Sequence, residues 1–308
     1  VGSGPALVVL AAGRARRYGG VKPLAPVGPD GEAVVDLLAS DAMRAGFSTL
    51  VLVVGPETGP AIRYHVERTW PHWVDVHFAV QDAPLGTVHA VLASSGHLAG
   101  DAPFGVANAD DCYGVDGLTR LAEHLSGPEP GNVLVAFRLS EAVIGPGPVS
   151  RGVCGVTDEG MLQSLVERRN VRPTADGRFL AEDGIEPVEL DGNTLVSMNL
   201  WGFDSEMRER LEAAMDRAPI TSGDTEVLLP EVVGQALDSQ ALDGQALDSQ
   251  ALDGPPPARG SPLRFQVLTA GGRCVGVTHP GDLPLVQREL AGQVSRGQRS
   301  ATLWPVGN

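Results

Sequence analysis

Residues 10–24 read LAAGRARRYGGVKPL and follow directly on the apolar run Ala6–Val9. An apolar run of this kind, ending in small residues and glycine, reads as a buried strand delivering the chain into an anion-cradling loop. Gly13, Gly19 and Gly20 let the backbone turn tightly and aim its N–H groups at an anion. Arg14, Arg16, Arg17 and Lys22 place four cations within nine residues. The whole chain has 23 Lys and Arg against 38 Asp and Glu, so positive charge is concentrated here against the general trend. The stretch reads as a polyphosphate site. Two common forms of such a site do not fit: Ala15 stands where G-x-G-x-x-G needs its second glycine, and Lys22 is followed by Pro23 where a P-loop has Ser or Thr.

Working outward, Glu32 to Ala45 carries apolar residues at helical spacing and Gly46 ends it as a C-cap. Leu50 to Val54 is a continuous apolar run, hence a buried strand, and a helix through Ile62 and Val66 follows Gly55-Pro56. Val74 to Val80 reads as a strand, Thr87 onward as a helix, and Phe104 to Ala107 as another buried strand. Strands and helices alternating over short links predict an α/β fold, a single Rossmann-like domain whose mixed, mostly parallel sheet has helices on both faces. In such sheets ligands bind at the carboxyl ends of the strands. Asn108-Ala109-Asp110-Asp111 stands at one such end, and Gln81 through Gly86-Thr87 at another.

The 10–24 stretch resembles the signature L-A-A-G-x-G-x-R-x-G-x-x-K-P-L of sugar-1-phosphate nucleotidylyltransferases and the wider MobA-like NTP-transferase superfamily. Leu10, Ala11, Ala12, Gly13, Arg17, Gly19, Lys22, Pro23 and Leu24 fit it, and Ala15 departs where glycine is usual. The resemblance extends to the branch whose metal strand reads N-A-D-D, here 108–111. It implies a nucleotide diphospho-sugar transferase type of fold and assigns the loop 10–13, Arg14, Gln81, Gly86, Thr87 and Asn108 to the nucleotide. Arg17 holds the β- and γ-phosphates, Lys22 stabilises the α-phosphate, and Asp110 holds Mg²⁺. Gly152, Glu167, Arg168 and Asn199 then face the sugar phosphate. A second metal carboxylate is expected from Glu226, with Asp224 and Glu231 as alternatives. Asp111 is expected to cap the next helix or to assist through water. The expected reaction moves a nucleotidyl group from an NTP to a sugar 1-phosphate, giving an NDP-sugar and pyrophosphate. Another phosphorylated acceptor (phosphocholine, a polyol phosphate or a pterin cofactor) is the alternative, as is a non-catalytic nucleotide sensor.

At 308 residues, 43% hydrophobic and 20% charged, the chain has the composition of a soluble globular protein. A net charge of −15 argues against nucleic acid as a partner. Neither a membrane span nor a signal peptide is evident, which predicts a cytoplasmic protein, with a homo-oligomer left open. Cys112, Cys154 and Cys274 are odd in number and widely spaced, so neither a disulfide framework nor a zinc site is expected. Residues 235–254 are four copies of Q-A-L-D-[SG], a period of five that suits neither helix nor strand. The expected layout is a nucleotidyltransferase core over 1–234, a disordered repeat and Pro-rich insertion over 235–262, and a segment 263–308 that completes the same domain. That last segment is expected to form a hairpin around Gly271-Gly272 and a closing helix from Leu283.

Overall fold

The computed structural model describes residues 4–13, 20–218, 226–237, 263–277 and 280–304. Arg14, Arg17, Gly19, Asp224 and residues 238–254 of the Q-A-L-D repeat lie outside these residues, whereas 235–237, expected to be disordered, are helical with Leu237 buried.

The sheet is built on four parallel strands: β1 (Ala6–Ala11), β2 (Thr49–Val54), β3 (Asp75–Val80) and β4 (Phe104–Asn108). Their order across the sheet is β3-β2-β1-β4. Successive residues of a strand face opposite sides, and here both sides are apolar. Leu7, Val9, Leu50 and Leu52 enter one core, while Val8, Val51 and Val53 enter the other. Burial on both faces is why these strands read as unbroken apolar runs. Helices α1 (Val34–Ala45), α2 (Gly59–Thr69) and α4 (Gly114–Leu125) cover the first face. Helices α3 (Thr87–Ala93) and α6 (Ser205–Arg217), with the helical residues 229–237, cover the second. Gly46 caps α1 at φ 100°, and Asp204, rather than Ser205, caps α6 by accepting from Met207 N–H at 2.8 Å.

Beyond β4 the chain adds β5 (Asp111–Cys112), β6 (Asn132–Arg138), the short α5 (Leu139–Ala142), β7 (Val149–Val156), β8 (Leu162–Pro173), β9 (Phe179–Ala181), β10 (Glu189–Leu190) and β11 (Leu195–Phe203). β11 lies antiparallel to β4 and forks the sheet. Its C-terminal half pairs with β4 and β6, and its N-terminal half with β7 as well as β6. An arm in the order β7-β8-β9-β10 leads away from that fork.

The expected hairpin over 263–277 does not form. β12 (Phe265–Thr269) runs parallel beside β6, and β13 (Val275–Gly276) pairs antiparallel with β5. Phe265 sits in an aromatic cluster with Trp201 and Phe203, which draws β12 to the main sheet. Val275 and Val277 join Ala25, Val27 and Leu37 in a third core with Val286 and Leu290 of α7 (Leu283–Ser295). Two buried partners on different elements separate the two strands. No helix among the described residues is long and apolar enough to cross a membrane.

Candidate active site

β1 ends at Ala11, and the next described residues after the loop form a 3₁₀ turn, Lys22–Leu24. Pro23 is buried and sets φ at the start of the turn, which fixes the direction in which Lys22 leaves it. Thr58 supports the strand end by donating to the Ala11 carbonyl at 3.0 Å. Lys22 Nζ lies 3.5 Å from Asp110 Oδ2, at the carboxyl end of the neighbouring strand β4. The cation and the carboxylate are both partly exposed, so they meet at the mouth of a site and are available to a ligand.

Asp111, next in the chain, is turned inward and buried, and accepts from Asn108 Nδ2 at 3.1 Å. It belongs to β5 and does not cap α4; Tyr113 holds the N-cap position, with no side-chain cap bond. Burial, and secondarily the Asp110 charge, push the Asp111 carboxyl up to about 7, against the pull of Asn108, Arg151 and Lys22. Two adjacent carboxylates with an excess of negative charge suit a divalent cation, which binds one or two carboxylates and leaves the other positions to phosphate oxygens and water. Asp110, the more open of the two, would hold it. Among the described residues no cluster of three or more His, Cys, Asp or Glu is placed to bind a metal. Glu226 is exposed in the segment before the 229–237 helix, and Glu231 is exposed on that helix. Neither is brought to Asp110 by any described contact.

Across from these carboxylates stands the wall formed by β7, β8 and β11. Gly152 is in register with Glu167 of β8 and with Ser197 of β11. A Cβ at Gly152 would meet Leu165 at 3.1 Å and Ser197 at 3.6 Å, so glycine keeps the floor between Glu167 and Asn199 open. Glu167 lines the cavity from an exposed position, and partial desolvation raises its carboxyl, with Arg151 and Arg169 opposing. Asn199 takes a left-handed conformation, φ 58°, within a bulge of β11, which turns its side chain out of the ladder. A cavity of about 210 Å³ joins the two sides, bounded by Asn108, Asp110 and Asp111 on one and by Gly152, Glu167 and Asn199 on the other.

Arg168 is not part of this cavity. It follows Glu167 on a strand and therefore faces the other side, where it is buried. Asp183 receives its Nε at 2.8 Å and Nη2 at 3.0 Å, and the carbonyls of Ile185 and Pro187 take further donors. Its charge is spent inside the arm. The cation that does line the cavity is Arg151, whose guanidinium is oriented by the carbonyls of Ala142 and Ser150. Its position beside Gly152 is the only sequence signal that could have suggested it.

The residues expected to read the nucleotide base are also partly committed. Gln81 Nε2 donates to the Gly86 carbonyl at 2.9 Å, so this buried amide braces its own loop. Gly86 has φ 96°, and a Cβ there would meet the Val227 backbone at 2.4 Å. The close approach that calls for glycine is thus made by protein backbone, which donates to Leu85 O and accepts from Val88 N–H. Thr87 Oγ1 accepts from Leu229 N–H at 2.8 Å. Gly86 and Thr87 therefore anchor the 226–229 segment.

Residues 7–142, from β1 through α5, match the sequence model of the MobA-like NTP transferase domain. This part of the chain is a MobA-like NTP transferase domain. It holds Lys22, Gln81, Asn108 and Asp110, whereas Gly152, Glu167 and Asn199 lie beyond the matched part. No curated protein sequence matches the chain. Among solved structures, the chain is similar to the inositol-1-phosphate CTP transferase from T. maritima, with TM-score 0.62 and 17% identity over 96% of this chain and 98% of that one. It is also similar to HddC from Yersinia pseudotuberculosis, with TM-score 0.56 and 14% identity over 92% of this chain and 99% of that one. The NTP transferase domain and the β7–β11 wall thus share a fold with these two proteins across nearly their whole lengths.

Proposed function

We propose that this protein moves a nucleotidyl group from an NTP to a sugar 1-phosphate, giving an NDP-sugar and pyrophosphate. The observation that carries the reading is the single cavity in which the Asp110 strand end faces Gly152, Glu167 and Asn199. An acceptor phosphate oxygen attacks the α-phosphorus, and the bond from that phosphorus to the bridging oxygen of the β-phosphate breaks. The electron pair leaves with pyrophosphate, so charges balance without a general base, because the acceptor phosphate is already ionised. Catalysis of this kind rests on positioning and on stabilising charge. The loop 10–13, with Arg14 and Arg17, holds the triphosphate, and Lys22 offsets charge at the α-phosphate. Mg²⁺, when bound through Asp110, would act as a Lewis acid on a phosphoryl oxygen. Glu167 accepts from acceptor hydroxyls, Asn199 can both accept and donate, and Arg151 faces the acceptor's anionic end.

A cyclic polyol phosphate is a second reading, favoured by the likeness to a protein described as an inositol-1-phosphate CTP transferase. It presents the same two features to the cavity, a phosphate and ring hydroxyls. The test is a pyrophosphate-release screen with Mg²⁺, pairing each of five NTPs with a panel of sugar 1-phosphates, inositol phosphate and phosphoalcohols. Turnover with a sugar 1-phosphate is expected. Turnover confined to phosphoalcohols or to acceptors without a ring would sink the assignment.

A further inference from the structure

The antiparallel ladder between β4 and β11 pairs Phe104 with Phe203, Gly105 with Gly202 and Val106 with Trp201. Continued for two more residues, the same register would set Asn199 opposite Asn108. It does not continue, because β11 bulges between Ser197 and Trp201 and Asn199 turns left-handed. A bulge of this kind leaves the partner strand with unpaired backbone groups, and a buried N–H cannot be left so without cost. The group that fills the gap is the hydroxyl of Tyr113. It accepts from Asn108 N–H at 3.0 Å and donates to the Met198 carbonyl at 2.8 Å. Tyr113 is itself 1% exposed, and burial pushes its phenol well above the ordinary value, so the proton needed for that second bond stays in place.

We propose that the Tyr113 hydroxyl is a positioning group that sets the spacing across the cavity, by tying the strand end bearing Asp110 to the bulge bearing Asn199. On one side, Asn108, two residues before Asp110, holds Asp111 through its side chain and Tyr113, three residues after Asp110, through its main chain. On the other side, Met198 precedes Asn199, whose N–H is held by Ser197 Oγ at 3.2 Å and whose Oδ1 accepts from Trp201 Nε1 at 3.3 Å. One oxygen atom thus bridges the two halves of the site where the ladder between β4 and β11 stops. This rests on the nucleotidyl-transfer reading for its kinetic consequence, though the tie itself is a matter of geometry alone.

The test uses the full chain. Tyr113→Phe removes the oxygen and keeps the ring, including its packing against Phe137 at 6.1 Å. The substrate pair chosen is the one the pyrophosphate screen selects. Turnover should fall by about 10- to 10²-fold, as expected when reacting groups are misplaced by a fraction of an ångström to an ångström. KM for the NTP should change less than kcat, because residues 10–13 are not part of the tie and Asn108 enters it only through its main-chain N–H. Phe137→Leu provides the control: it weakens the same packing without touching the hydroxyl, and should lower the melting temperature while kcat holds. Equal kcat losses in the two variants, or an unchanged kcat in Tyr113→Phe, overturn the proposal.

A second measurement needs neither a variant nor activity. In the wild-type chain, amide exchange of peptides 104–110 and 195–201 should open as one unit. Independent opening of these two peptides refutes the tie. If the screen finds no substrate at all, the functional reading falls, and the exchange experiment still decides this one.

Discussion

Lys22 Nζ and Asp110 Oδ2 lie 3.5 Å apart although 88 residues separate them in the chain. Their meeting joins the loop after β1 to the end of β4, the two neighbouring strands whose ends a triphosphate would span. The pair is partly open to solvent and therefore adds little stability as an ion pair. On the proposed reading the two exchange partners when substrate binds, Lys22 to a phosphate and Asp110 to a metal. Lys22→Ala is expected to lower kcat by ~10²-fold or more, equivalent to about 2.7 kcal/mol in the barrier. The melting temperature should barely move. Undiminished pyrophosphate release by Lys22→Ala would remove this residue from the mechanism.

Asp110→Asn and Asp111→Asn separate the roles of the two adjacent carboxylates. If Asp110 holds the cation, Asp110→Asn should abolish the dependence of rate on Mg²⁺ concentration and leave a residual rate ~10²-fold or more below wild type. Asp111 is buried, and that burial raises its carboxyl to about 7. Asp111→Asn should therefore keep a Mg²⁺-dependent rate, with a shifted half-saturating concentration. Titration of rate against Mg²⁺ in both variants checks this, and the reverse pattern would exchange the two assignments.

The arginines of β7 and β8 make opposite predictions. Arg151 lines the cavity and Arg168 is buried against Asp183. Arg151→Lys loses the flat, five-donor guanidinium and should raise the acceptor KM by ~10-fold with little change in the NTP KM. Arg168→Lys should leave both KM values near wild type and lower the urea midpoint, since a single ammonium cannot serve Asp183, Ile185 and Pro187 together. A raised acceptor KM in Arg168→Lys, at wild-type stability, would return that residue to the site.

This contrast also marks how far the sequence could be read. The strand ends were legible because an apolar run followed by Gly or Asp has few other uses in an α/β fold. Hence Asp110, Gly152, Glu167 and Asn199 are found around one cavity, with Lys22 paired to Asp110. Arg168 could have been set aside on the same grounds: on a strand, a neighbour of an inward Glu167 faces outward. What was hidden is what needs a partner in three dimensions. Gly86 looked open to a flat ring, yet Val227, from a distant segment, fills that space. The run 265–269 announced a strand but not that β6 would be its neighbour. Tyr113 gave no signal, because its hydroxyl matters only where β11 leaves its register.

The Arg168–Asp183 pair gives the fold a dependence on pH with a definite sign. The Arg168 guanidinium, aided by the N–H groups of Arg169 and Ile185, holds the Asp183 carboxyl well below the usual carboxylate range. A carboxyl whose pKa is lower folded than unfolded contributes stability above its unfolded pKa of about 4, lost as pH falls towards the folded value. The difference in urea midpoint between wild type and Asp183→Asn should thus be constant from roughly pH 7 to pH 5 and shrink below about pH 4. A difference that grows on acidification would contradict the pairing.

Gly276 offers a test of Asp111 that removes no polar group from the cavity. β13 sets Gly276 opposite Asp111, and a Cβ there would lie 2.1 Å from Asp111 Oδ1 and 3.2 Å from the Asp110 carbonyl. Gly276 is not among the residues with positive φ, so alanine meets no backbone strain of its own and its whole effect falls on these two aspartates. Asp111 must swing away from Asn108 or carry the β5 backbone with it. Either movement shifts Asp110, and kcat of Gly276→Ala should drop by ~10-fold or more as the reacting groups lose alignment. Asp111→Ala in the Gly276→Ala background removes the clashing carboxylate. The two substitutions should then be non-additive, with the double variant no slower than Asp111→Ala alone. Losses that simply multiply would show that Gly276 acts elsewhere than on Asp111.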